Sequence, residues 1–121
     1  LCGSEWLGDP ACSDPAILAG DFNFLSRSRA YGEIAARLRD AQRLIAPDRH
    51  DATFPSRYPR FRIDYVFVSS GIEVAAVTTI KTPGALIASD HLPLVADLRI
   101  PAPPVPDFRE GERRARALDD A

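Results

Sequence analysis

Methionine is absent from all 121 residues, and the chain opens on Leu1. A complete translation product starts with methionine, so the expectation is a segment whose N-terminus is a cut. Also missing is any run near the roughly 18 apolar residues that cross a bilayer, and LCGSEWLGDP has neither the basic nor the apolar stretch of an export signal. No membrane span is expected, and the compartment is read as cytoplasmic. Cysteine is scarce: Cys2 and Cys12 stand alone, with no CxxC spacing or neighbouring histidine to make a zinc or redox site, and read as structural thiols. Bulk charge is low too. At a net charge of −2 the chain as a whole exerts no attraction on nucleic acid. Internal repeats are absent.

What is present fits a globular chain, with 45% hydrophobic and 26% charged residues. Charge is unevenly placed. Between Phe24 and Ile63 stand nine arginines against four acids, a local excess of +5, which reads either as a solvated Arg-rich face or as a surface for phosphates. Residues 1–15 read as a helix end or loop. The run Ala16-Ile-Leu-Ala-Gly20 is short, continuous and apolar, the pattern of a strand buried on both faces. From Ser28, the spacing of Tyr31, Ile34, Ala35, Leu38, Ala41 and Ile45 predicts one amphipathic helix that ends before Pro47. A polar loop punctuated by prolines follows. FRIDYVFVS then alternates as a strand, with Phe61, Ile63, Tyr65 and Phe67 on one face and Arg62, Asp64, Val66 and Val68 on the other. IEVAAVTTI is a further strand, TPGALIASD a loop, and LPLVADLRI a last strand closed by Pro101. Short connections favour antiparallel pairing. Residues 1–100 are read as the folded part, and 101–121, Pro-rich then charged, as a disordered tail.

Three clusters carry potential chemistry: Gly20-Asp21-Phe22-Asn23 after the first strand, Ile63-Asp64-Tyr65 inside a strand, and Ser89-Asp90-His91-Leu92-Pro93 before the last one. Each also has a structural reading. Gly-Asp-x-Asn is a common Asx-turn, Asp90-His91 could be a satisfied loop, and Asp64 could pair with Arg62. A carboxylate among apolar neighbours is costly unless paired or bound to a metal, however, and three of them beside strands suggest one shared polar site. Hard oxygen ligands suit Mg²⁺ or Mn²⁺, an imidazole beside a carboxylate holds a fixed tautomer, and an Asn amide can donate to a phosphoryl oxygen. No covalent nucleophile stands out. His50 lies in a polar loop and reads as a surface histidine.

In this order, ILAGDFN, TFPSRYPRFRIDYVFVS and ASDHLPLVADL resemble the three C-terminal motifs of the endonuclease/exonuclease/phosphatase superfamily, the deoxyribonuclease-I-like fold. The likeness runs from about Pro15 to Ile100. It implies the C-terminal half of a two-sheet β-sandwich with flanking helices, α+β in class and mainly antiparallel, contributing one of the two central sheets. Such a half would expose apolar surface. The resemblance further implies that Asp21 contacts the attacking water or the leaving oxygen, that Asn23 orients the scissile phosphate, and that Asp64 holds His91. His91 would act as base or phosphate-binding imidazole, with Asp90 and Asp21 toward the metal. Thr53 and Phe54, a Thr-aromatic pair, would help shape the substrate groove, and Arg62 is a candidate phosphate contact. The partners implied are a phosphate-ester substrate, nucleic acid among the options, and the N-terminal half that supplies the family's Asn and Glu motifs. Neither motif occurs before Ala16. The expected activity is metal-dependent phosphate-ester hydrolysis in the complete parent, with this segment alone inactive; the alternative is a non-catalytic binding module on the same scaffold.

Overall fold

The computed structural model describes residues 14–49 and 51–102. In chain order the elements are β1 (Ile17–Asp21), α1 (Arg29–Ala35), β2 (Arg39–Asp40), α2 (Ala41–Ile45), β3 (Asp64–Val68), β4 (Glu73–Thr79), α3 (Pro83–Ala88) and β5 (Leu94–Arg99). The architecture is α+β, as expected, and every strand pairing is antiparallel. The strands form two hydrogen-bonded sets among the described residues rather than one: a three-stranded sheet ordered β1-β3-β2 and a two-stranded β4-β5 pair. The cysteines, His50 and the tail from residue 103 onward lie outside the described residues.

β3 is the centre of the larger sheet because its side chains alternate between aromatic and other apolar groups. Tyr65 and Phe67 are fully buried and meet Tyr31 of α1 and Leu38, with Leu18, Phe22, Phe24 and Ile34 packed around them. Full burial of such a side chain contributes about 1.5–3 kcal/mol over leaving it exposed. The rings are ordered as well as buried: Tyr65 stacks on Phe24 at 5.2 Å and on Phe67 at 5.5 Å, and Phe22 meets Phe67 edge-on at 5.7 Å. β1, by contrast, is an edge strand. It was expected to be buried on both faces, yet Ile17 is 47% exposed and only Leu18 turns inward, because β3 is its one hydrogen-bonded neighbour among the described residues.

The single helix expected from Ser28 to Pro47 is two short helices with a bridge of strand between them. Ser28 does cap the first, accepting from the Tyr31 amide. After Ala36, Leu38 plunges into the core and Arg39-Asp40 pairs with Val68 and Phe67 of β3, which interrupts the helical ladder. Asp40 then restarts it by accepting from the Gln42 amide. A buried ion pair drives this break: Asp40 receives Arg62 Nη2 at 2.5 Å and the Tyr31 hydroxyl at 2.7 Å. Burial, more than the Asp40 contact, raises the Tyr31 pKa to about 12.

The segment read as the loop TPGALIASD contains a helix, α3. Its signal was legible: Thr82 accepts from the Ala85 amide as N-cap and Pro83 occupies the first turn, where a missing N–H costs nothing. β3 also starts at Asp64 rather than Phe61. Phe61 instead pairs with Phe54 across a tight loop and is 45% exposed.

Candidate active site

Asp21 ends β1 and Asp64 begins β3, and the register sets them directly opposite each other. Like charges at facing positions destabilise an antiparallel pair unless something neutralises them. His91 does so. Its Nδ1 lies 2.8 Å from Asp64 Oδ2 and its Nε2 3.7 Å from Asp21 Oδ2, so one imidazole bridges both carboxylates. The Asp64 hydrogen bond is the main cause that raises the His91 pKa above 6.5; burial acts against it, and the charges of Asp64, Asp21 and Asp90 add to the rise.

Each member is held by a specific local device. In Phe22-Asn23-Phe24 the two rings point into the aromatic core, which turns Asp21 and Asn23 outward. Asn23 adopts φ +53, a left-handed conformation that Asn tolerates, and its amide donates to Asp21 Oδ1 at 2.9 Å, closing an Asx-turn. Gly20, at φ +151, gives the strand end a conformation other residues rarely adopt. The Phe22 amide donates to the Ile63 carbonyl at 3.0 Å, which ties this turn to the start of β3.

Asp64 is fixed from the other side. The Thr53 hydroxyl donates to Asp64 Oδ2 at 2.5 Å, and Thr53 is completely buried. His91 is clamped by its neighbours: the Leu92 amide donates to the Thr53 carbonyl and the Ser56 amide to the Asp90 carbonyl, both at 2.7 Å. The Phe54 ring lies 4.9 Å from the imidazole. Segments 53–56 and 90–92 are therefore tied to each other by backbone hydrogen bonds.

The expected residues are brought together unequally. Asp21, Asp64 and His91 each place one ligand-type atom within 4.8 Å of the others. Asn23 adjoins them through its amide. Asp90 is exposed and outside that compact group, although its charge reaches His91. Thr53 stands behind Asp64 rather than in an open groove, because its hydroxyl is consumed by the carboxylate. Arg62 does not share a face with Asp64: it curls the other way, lies over the Tyr65 ring at 4.7 Å, and is 6% exposed. β-alternation misled here because the strand begins three residues later, at Asp64 rather than Phe61. Phe22 and Phe24 were not singled out for the site; the alternation of Phe with Asp and Asn was their signal.

Carboxylate oxygens suit a hard divalent cation in donor type. Asp64 Oδ2 already accepts from Thr53 and faces His91, so the more open oxygens belong to Asp21, whose side chain is 48% exposed, and to Asp90.

In this α+β chain a clamped histidine joins two facing aspartates in one titratable cluster at a sheet edge. Residues 4–91 match the Endonuclease/Exonuclease/phosphatase family, and the chain belongs to that family. Its members in general act on phosphate esters and depend on divalent metals. The chain is 29% identical over 98 residues to "Uncharacterized protein YbhP" of Escherichia coli (strain K12), covering 80% of this chain and 38% of that protein. The same figures hold for YbhP of Shigella flexneri. The chain thus spans well under half the length of these curated relatives. No solved structure matches it. No helix among the described residues is long and apolar enough to cross a membrane.

Proposed function

We propose that this chain supplies the acid–base part of a metal-dependent hydrolase of phosphate esters, completed in the whole protein by an N-terminal half of the same domain. The observation that carries the reading is the Thr53–Asp64–His91–Asp21 relay at the edge of the β1-β3 pair. Asp64 fixes the imidazole with Nδ1 inward, which leaves Nε2 on the open side toward Asp21. With its pKa raised, His91 keeps its charge to higher pH than a free imidazole, which suits contact with a phosphoryl oxygen. Asp21 then accepts the proton of the attacking water as its oxygen bonds to phosphorus, the bond to the leaving oxygen breaks and that oxygen takes up a proton from solvent, and Asn23 donates to the phosphate beside it. Mg²⁺ or Mn²⁺, held by Asp21 and Asp90, would supply charge neutralisation at the phosphoryl group.

The test is hydrolysis of bis(p-nitrophenyl) phosphate by the protein carrying the whole domain, with and without Mn²⁺. Asp21→Asn and His91→Ala are each expected to lower kcat by 100-fold or more, the usual scale of general acid–base catalysis. Metal removal by a chelator should abolish turnover. A whole-domain protein that folds, binds Mn²⁺ and shows no metal-dependent hydrolysis of any phosphate ester would instead favour the binding module.

A further inference from the structure

Three of the nine arginines between Phe24 and Ile63 converge on one hollow of about 240 Å³, walled by Leu25, Ser26, Arg27, Ala52, Arg60 and Arg62. Arg62 is its buried wall. Asp40 takes Nη2, while Nη1 is buried without a hydrogen-bond partner. Asp40 cannot neutralise the region by itself, since it also serves the Tyr31 hydroxyl and lies 4.0 Å from Arg43. The other acid close in sequence, Asp51, is engaged by Arg49 at 2.9 Å. Arg27 and Arg60 are exposed, and neither forms an ion pair among the described residues. A water occupies about 30 Å³ of liquid, so the hollow has room for a tetrahedral oxyanion.

The hollow is also built from the segments that carry the catalytic cluster. Leu25-Ser26-Arg27 follows Asn23, Ala52 precedes Thr53, and Arg62 lies two residues before Asp64. We infer that it is a binding subsite for a phosphate group of the substrate other than the one cleaved. The substrate class is then a phosphate ester with at least two phosphates. Arg27 and Arg60 grip the group with charge-assisted N–H donors, and Arg62 sets the positive field behind them. The choice of phosphate rests on the hydrolase reading above; the binding itself does not need turnover.

Titration of the full chain with inorganic phosphate at constant ionic strength, followed through arginine Nε–H resonances, tests this. Arg27→Ala and Arg60→Ala are each expected to weaken binding roughly fivefold, the order of a charge-assisted contact at an exposed position. Arg27→Lys and Arg60→Lys should recover part of the loss. Arg62 is left in place because its removal would disturb the core. A double Ala variant that melts like the parent chain and still binds phosphate equally overturns the subsite. So does a titration that moves only the His91 signals. A whole-domain protein that binds phosphate here yet hydrolyses nothing would sink the hydrolase reading alone.

Discussion

Replacing Asp40 by alanine should be the most damaging single change to this fold. Its side chain is 3% exposed, and that of Arg62, its partner at 2.5 Å, is 5% exposed. Deletion leaves a guanidinium buried with no anion, a situation that costs about 3–5 kcal/mol. It also frees the Tyr31 hydroxyl and uncaps α2, whose first amides lose an acceptor worth about 1 kcal/mol. Those terms overlap because one carboxylate serves all three, so about 4 kcal/mol in total is the expectation. A domain of this size has roughly 5–15 kcal/mol in hand, so the variant should be close to unfolding at 37 °C. Urea denaturation followed by circular dichroism measures it. Asp40→Asn, which keeps the shape and the cap, should lose less. Asp40→Ala combined with Arg62→Met removes both charges and should recover about 2 kcal/mol relative to the sum of the singles. A loss under about 1 kcal/mol for Asp40→Ala, or a double variant worse than that sum, would refute the assignment of Asp40–Arg62 as the ion pair that organises the break between α1 and α2.

Thr53→Val keeps the volume but removes the donor to Asp64, leaving one carboxylate contact unmade at a cost of about 1.5–3 kcal/mol. In the whole-domain protein this positioning defect should lower kcat with little change in KM, and Thr53→Ser should restore most of it. The raised His91 pKa gives stability a pH dependence in metal-free buffer. The Asp64 contact is fully present below the ordinary histidine value of 6.5 and is lost as pH rises through the raised value in the folded state. Denaturation midpoints should therefore fall across that window, and Asp64→Asn should flatten the dependence; an unchanged slope in the variant counts against the bridge.

Four of the five strands, spread over both sheets, were legible in the residues. Apolar runs located β1, β4 and β5, and the alternation of FRIDYVFVS located β3, because period-two burial survives any arrangement of neighbours. The acids and His91 were found for a related reason: ionisable groups beside apolar strands demand partners. Helical spacing was less informative. Tyr31, Leu38 and Ala41 are buried as the spacing required, but Ala35 and Ile45 are exposed, since a two-residue pairing with β3 turns the chain between them.

The sequence by itself therefore determined which residues are candidates for chemistry and which segments could be strands, because those follow from polarity and local period. Only the tertiary structure decided the partners. It set Asp21 opposite Asp64, gave Thr53 to the back of Asp64, and sent Arg62 across Tyr65 to Asp40. Residues 11 to 43 apart in the chain meet through register and packing, and a local pattern does not encode the distances between elements.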